Sequence, residues 1–156
     1  MFMYMLTEKP EGKGMMLQSE EGVSYLLETD IENDMYNGLK YHVLDSVGTL
    51  DGQLVVCNHI PVSPEGRSTF EDRFQKRARL IEKEPGFKAI RVLRPLTDDT
   101  YVIMTVWEND QAFLNWQQSK AYDQAHKKRE TTAGVDQQKS IFPRPSFVKR
   151  YLMKGI

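Results

Sequence analysis

Hydrophobic and polar positions divide this chain into two parts. In the first fifty residues, short apolar runs are interrupted by turn residues such as Gly12, Gly14 and the pair Asn37-Gly38. Short runs with such interruptions predict strands joined by turns. Four strands are expected there, at 3–7, 15–18, 24–28 and 41–45.

From residue 51 the pattern alternates between the strand period and the helix period. Gln53–Ile60 is a compact apolar strand candidate. Apolar residues then recur at helical spacing over 66–83, which predicts an amphipathic helix that Pro85-Gly86 ends. Phe87–Leu93 and Tyr101–Trp107 are rich in branched and aromatic residues and predict a hairpin.

Capping residues indicate where the helices begin. The first helix starts either at Ser63 or with the capping box Ser68-x-x-Glu71, and the sequence does not choose between them. Asn109 predicts the N-cap of a second helix, which runs through Gln118 and restarts at Ser119 toward Arg129. A final strand is expected over 146–153.

The order of these elements predicts the fold class. Strand, helix, strand, strand, helix, strand is the split βαβ arrangement of an α+β, ferredoxin-like domain, with both helices on one face of an antiparallel sheet. The other face needs a cover, which is either a second copy or another sheet of the same chain. We expect the strand-rich region 1–50 to pack on the sheet of the ferredoxin-like domain 51–156. Together they would form a dimer-like β-barrel, so a monomer is favoured over an obligate homodimer.

Composition is that of an ordinary soluble protein, with 40% hydrophobic and 28% charged residues in 156. The apolar start of the chain is too short for a signal peptide or a membrane span. Its one cysteine, Cys57, excludes an internal disulfide and is interpreted as a small buried thiol. These features favour the cytosol and no membrane partner.

Charge is distributed unevenly along the chain. The net charge of −1 combines −6 for residues 1–50 with +5 for residues 51–156. An anionic ligand is therefore expected to meet the second part, although attraction between the two halves explains the split equally well. Basic residues do not interleave with aromatic ones, which argues against a nucleic-acid partner. Glycine-rich phosphate loops and CxxC or HExxH motifs are absent from the sequence.

Three residues are candidates for chemistry. Trp116 precedes His126 by ten residues, and the cations Lys127-Lys128-Arg129 follow the histidine. The imidazole of a histidine can coordinate iron, and the indole of a tryptophan can line a pocket. Each of these residues, taken singly, is more often structural. Asn58 interrupts an apolar strand, where its amide either points into a cavity or caps the end of the strand.

These positions, in this order, resemble the IsdG-type haem-degrading monooxygenases of the antibiotic biosynthesis monooxygenase (ABM) superfamily. That group has an asparagine on the first strand, a tryptophan on the second helix and a histidine ten residues later. The sequence around these positions is similar too, in the segments Thr105-Val106-Trp107-Glu108, Gln111-Ala112-Phe113 and Ala125-His126-Lys127. The resemblance covers about residues 51–156, and the long chain is most similar to the haem monooxygenases of Bacillus.

The resemblance implies a function and a role for each residue. His126 would be the proximal iron ligand, Trp116 would press on the macrocycle and ruffle it, and Asn58 would hydrogen-bond oxygen at the iron. Haem would be both cofactor and substrate, opened with O2 and an external electron donor, with release of iron. Three alternatives stay open: a haem-binding protein that does not degrade haem, a cofactor-free ABM monooxygenase, and a signalling protein like the staphylococcal TRAP proteins.

Overall fold

The computed structural model of the chain describes residues 1–77, 79–119 and 141–155. Their order is four strands, then strand, helix, two strands, helix and strand. The elements are β1 (Phe2–Leu6), β2 (Met15–Ser19), β3 (Gly22–Thr29), β4 (Gly38–Gly48), β5 (Leu54–Pro61), α1 (Arg67–Gln75), β6 (Phe87–Pro95), β7 (Thr100–Trp107), α2 (Asp110–Gln117) and β8 (Phe147–Gly155). Short 3-10 turns occupy Pro64–Gly66 and Leu80–Lys83.

The described strands form one closed antiparallel barrel in the order β1-β3-β2-β8-β5-β7-β6-β4. Strands β5 to β8 are neighbours in the order 8-5-7-6, which is the sheet of a ferredoxin-like domain. Strands β1 to β4 complete the barrel by pairing β2 with β8 and β4 with β6. The expected α+β fold with a dimer-like barrel is confirmed, because the first fifty residues supply the second sheet.

Alternation along β5 separates the barrel interior from the outer face that the helices cover. Val55 and Cys57 point inward and join the main core cluster. Leu54, Val56 and Ile60 point outward and pack in two separate clusters beneath the helices. The interior cluster contains thirteen buried residues: Met3, Leu17, Leu26, Tyr41, Val55, Cys57, Ala89, Leu93, Val102, Met104, Val106, Tyr151 and Met153.

The two helices cover opposite ends of this outer face. Phe70 of α1 packs with Ile60 and Tyr101, and its ring lies 4.7 Å from that of Tyr101. At the other end, α2 packs on Leu54 and Trp107. The middle of the outer face therefore lies between the helices.

The prediction of one helix over 66–83 is wrong beyond Gln75. Arg79 adopts a left-handed conformation with φ 58°, and a separate 3-10 turn follows it. The reason is a long-range ion pair: Arg77 donates to the carbonyl of Phe74 at 3.0 Å and to Asp45 on β4 at 2.5 Å. Binding to β4 ends the helix well before Pro85-Gly86.

Ser63, one of the two predicted starts, is the N-cap of the 3-10 turn Pro64–Gly66, and this turn continues directly into α1. The Ser63 backbone is extended and its side chain makes no capping hydrogen bond, while the α-helix itself begins after Gly66. Glycine is needed at 66 because a Cβ would lie 2.4 Å from Cγ2 of Ile141. The start of α1 is set by this close approach, and Ser68-x-x-Glu71 is not a capping box.

The N-cap predicted for α2 is confirmed. Asn109 Oδ1 accepts a hydrogen bond from the backbone N–H of Ala112 at 2.9 Å. The helix ends at Gln117, one residue before the predicted end. The predicted restart toward Arg129 lies outside the described residues.

Candidate functional site

Asn58 lies on the outer face of β5, between the regions covered by α1 and α2. Its neighbours across the sheet are Ile103 on β7 and Val148 on β8. Val148 is 57% exposed. Asn58 is half-buried, and no hydrogen bond joins its carboxamide to another residue of the described part of the chain. A half-buried amide without such a bond on an apolar surface is available to a ligand.

Trp116 belongs to α2, and its side chain packs against the same outer face. The indole is 4% exposed and packs with Leu54 and Val56, the latter two residues before Asn58 on β5. It stacks on Trp107, with ring centroids 6.5 Å apart and planes 27° apart. Two of the three predicted site residues thus share one face.

His126 lies outside the described residues. The last described residue before it is Ser119, which lies beside Trp116. The carbonyl of Trp116 accepts hydrogen bonds from the N–H and the hydroxyl of Ser119, at 3.0 and 2.7 Å. The first described residue after it is Ile141, whose carbonyl accepts from the N–H of Ser63 at 2.6 Å, next to the start of α1. The described residues on either side of His126, Ser119 and Ile141, therefore lie at the α2 end and at the α1 end of the outer face.

An open cleft of about 760 Å³ borders this face along the outside of β8. Its lining includes Leu54, which packs with Trp116, and Val148, which pairs with Asn58. Its two cations are paired, since Arg150 lies 2.9 Å from Asp110 and Lys149 lies 3.3 Å from Glu21. The cleft extends the apolar surface beside Asn58 but brings no unpaired cation to it.

The sequence did not predict a polar network at the α1 end of the face. Arg94 donates two hydrogen bonds to Glu71, at 3.0 and 2.6 Å, and the Tyr101 hydroxyl also donates to that carboxylate. Arg67 donates to the same hydroxyl at 3.1 Å. The sequence signal, a glutamate on α1, was interpreted as part of a cap, whereas it anchors the helix to β6 and β7.

The pKa of Glu71 lies below its ordinary value. Burial acts to raise this pKa, but the hydrogen bonds from Arg94 and Tyr101 outweigh it. Because its pKa is lower in the folded state than in the unfolded state, ionised Glu71 stabilises the fold. This contribution is complete at pH values above the ordinary pKa of 4.5, and it is lost as the pH falls through the pKa of the folded state.

Glu71→Gln should therefore flatten the acid limb of the stability profile. Charged hydrogen bonds of this kind contribute about 1–3 kcal/mol each, so the variant should be less stable than wild type at neutral pH and lose less on acidification. Urea unfolding from neutral pH to below 4.5 measures this. Asp72→Asn, at an exposed carboxylate on the same helix, is the control. Equal pH dependence in Glu71→Gln and wild type would contradict the assignment.

Cys57 and His59 do not belong to this outer site. Both point away from the face that carries Asn58, and burial raises the pKa of the Cys57 thiol to about 12. Burial, with the nearby Lys149, lowers the pKa of His59 against the opposing effect of Asp98, and its ring stacks on Phe147. The interpretation of Cys57 as a small buried thiol is confirmed.

In the described part of the chain, no group of three or more histidine, cysteine or acidic side chains is arranged to hold a metal ion. Within the same residues, neither helix is long and apolar enough to cross a membrane.

Comparison with known proteins identifies the second part of the chain. Residues 53–128 match the model of the antibiotic biosynthesis monooxygenase family. A heme oxygenase (mycobilin-producing) of Mycobacterium tuberculosis is 38% identical over 64 residues, which are 40% of this chain and 61% of the relative. The chain thus spans about three fifths of the length of that curated relative. The resemblance to this superfamily is confirmed.

Solved structures share the whole architecture at lower identity. LmHde, a heme-degrading enzyme from Listeria monocytogenes, superposes with a TM-score of 0.67 at 18% identity, over 97% of this chain and 99% of its own. A major regulator of staphylococcal pathogenesis superposes with a TM-score of 0.75 at 20% identity, over 97% and 98%. An enzyme and a regulator thus share this fold, so the function has to be argued from the site.

Proposed function

We propose that this chain, whose residues 53–128 match the model of the antibiotic biosynthesis monooxygenase family, is a haem-degrading monooxygenase of the IsdG type. One observation carries the proposal: the Asn58 carboxamide makes no hydrogen bond within the described residues, on the same sheet face as Trp116. The similarity of this segment to a mycobacterial heme oxygenase supports it.

The chemistry of this face suits a flat, mostly apolar ring. Ile103 and the exposed Val148 flank Asn58, so a macrocycle lying there would cover apolar surface and meet one polar group. A face with several charged side chains would fit such a ring poorly. The donor set at Asn58 is a single amide, which can orient a small polar ligand above the ring without adding charge.

Each residue then has a distinct role in the proposal. His126 holds the haem iron as proximal ligand, Trp116 presses on the ring from α2, and Asn58 donates its amide N–H toward the reacting oxygen. Haem is cofactor and substrate: when bound, it supplies O2 activation with electrons from an external donor, and the products are an open tetrapyrrole and iron. The chain's own residues bind the ring, orient it and place one hydrogen-bond donor.

We further propose that the chain works as a monomer. The described strands close the barrel within one chain, so no sheet edge of the barrel needs a second copy. One haem per chain is the expected stoichiometry.

A non-catalytic role is the second candidate, because a staphylococcal regulator has the same architecture at a TM-score of 0.75. A signalling protein of that kind need not bind haem. Binding of haemin therefore separates the two candidates before any turnover is measured.

Replacing Asn58 by leucine tests the role of the amide. Leucine has the same number of side-chain heavy atoms and the same branching at Cγ but no donor, so haemin should still bind with a similar Kd. The rate of haem loss should fall by about 100-fold, the usual effect of removing one donor that stabilises a reacting oxygen. Ile103→Val, at the neighbouring position on β7, is the control and should keep the wild-type rate. Unchanged turnover in Asn58→Leu would refute the assigned role.

A further inference from the structure

Trp107 is the centre of a cluster of four aromatic rings at the α2 end of the outer face. It is fully buried, and its ring lies 5.8 Å from Phe87, 5.7 Å from Phe113 and 6.5 Å from Trp116. The arrangement with Trp116 is close to parallel, at 27°. Trp107 is therefore the surface on which the Trp116 indole rests.

A hydrogen bond fixes the orientation of the Trp107 ring. Its indole Nε1–H donates to Oγ1 of Thr105 at 3.0 Å, two residues away on the same face of β7. The Thr105 hydroxyl is in turn 3.5 Å from the carbonyl of Val56 on β5. Thr105 is also buried. A ring that is packed on three sides and held by one directed bond has little freedom to tilt.

These contacts form a continuous connection between the two candidate site residues. Val56 precedes Asn58 by two positions on β5, and Trp116 stacks on the ring that Thr105 orients. The hydrogen bond between Thr105 and Trp107 is therefore part of the series of contacts that connects the strand of Asn58 to the Trp116 indole.

The helix α2, which carries Trp116, lies close to the sheet. Gly86 has φ +83°, and a Cβ at that position would lie 2.4 Å from Cβ of Ala112 on α2. This close approach holds α2 against the strand region that carries the rings.

We infer that Trp107, oriented by Thr105, is a positioning residue that holds the Trp116 indole against the haem ring. The inference rests on the proposed function for its catalytic consequence, but the position of the indole is a property of the protein without haem. Displacement of a substrate-contacting group by a fraction of an ångström lowers the rate of the chemical step more than it lowers affinity. We expect Thr105→Val to reduce kcat about tenfold, with KM nearly unchanged and an altered ratio of tetrapyrrole isomers.

Three variants distinguish positioning from general stability. Thr105→Val has nearly the same shape but no hydroxyl to accept the indole N–H. Thr105→Ser keeps the hydroxyl and should restore the wild-type properties. Phe87→Leu removes a ring that contacts Trp107 on another side, and its expected loss of stability controls for weaker packing.

The first readout needs no haem. The protein has two tryptophans, and stacked indoles give a coupled pair of bands in far-ultraviolet circular dichroism. Wild type, Thr105→Ser and Phe87→Leu should show this couplet, and Thr105→Val should lose it. A full couplet in Thr105→Val would overturn the inference even if the protein proves not to degrade haem.

The second readout is turnover of added haemin with reductant in air. A lower kcat and a changed isomer ratio in Thr105→Val, with neither change in Phe87→Leu, support the inference. Equal effects in both variants would show that packing alone matters and would overturn it. Wild-type protein that binds no haemin would refute the proposed function, while the couplet would still decide the positioning of Trp116.

Discussion

Replacing His126 by glycine is expected to abolish the Soret band that haemin gives with the wild-type protein. Changing even the hydrogen-bond partner of a metal ligand typically costs about 10- to 100-fold in affinity. Loss of the iron ligand itself should therefore exceed about 100-fold. Haemin titration followed by absorbance measures the change directly.

Added imidazole sharpens this test. A small imidazole can occupy the space left by His126→Gly and restore a ligand to the iron, so the Soret band should return with increasing imidazole. The control is His42→Asn, because His42 lies on β4 beside Phe2, in the first half of the barrel. An undiminished Soret band in His126→Gly, or an equal loss in His42→Asn, would contradict the assignment of His126.

The second large effect is expected at Arg91, where the two halves of the barrel are joined. Its guanidinium is 4% exposed and donates to Glu28 on β3 at 2.6 Å and to the carbonyls of Val47 and Gly48 on β4 at 2.9 and 3.0 Å. A single side chain of β6 thus binds two of the four strands of the first half, β3 and β4. Removing it leaves a carboxylate and two carbonyls without their donor.

Arg91→Met should lower the free energy of unfolding by about 3–5 kcal/mol, the usual effect of removing one member of a buried ion pair. Urea unfolding measures it. The control Arg144→Met breaks an exposed pair with Asp99 and should cost less than about 1 kcal/mol. A double change with Glu28→Met should recover part of the loss, since no unpaired charge then remains. Equal losses in Arg91→Met and Arg144→Met would show that the ion pair does not hold the two halves together.

The strands and the barrel could be predicted because their signals are local. Alternation and turn residues mark each strand, and the helices of the second part cover only one face of its sheet, so the other face requires the strands of residues 1–50. The Asn109 cap is also local, since its acceptor lies three residues before Ala112. These features follow from neighbouring residues and one general packing rule.

Long-range contacts account for what the sequence did not predict. The pattern over 66–83 is uninterrupted, but the helix ends where Arg77, and Arg79 after it, pair with Asp45, thirty-two residues before Arg77. Glu71 resembles a capping residue until its partners Arg94 and Tyr101 are known. Alternation along β5 placed Asn58 on the opposite face from Cys57, but its position between two helices depends on the tertiary fold.

The candidate site was predicted by resemblance more than by physical pattern. Trp116 alone is a buried aromatic residue on an amphipathic helix, and its burial with Trp107 and Phe113 suits a core residue as well as a pocket wall. The spacing of nine residues between Trp107 and Trp116 does not reveal that the two rings stack. The joint placement of Asn58 and Trp116 on one face makes the site a physical hypothesis.

Turnover of haemin by the purified wild-type protein is the decisive measurement of haem degradation. With one equivalent of haemin, a reductant in air and an iron chelator, we expect a Soret band that bleaches while a tetrapyrrole absorbance and the iron–chelator complex appear together. Catalase in the reaction excludes bleaching by free peroxide. A Soret band that forms and then persists under these conditions would contradict haem degradation and leave a protein that only binds haem.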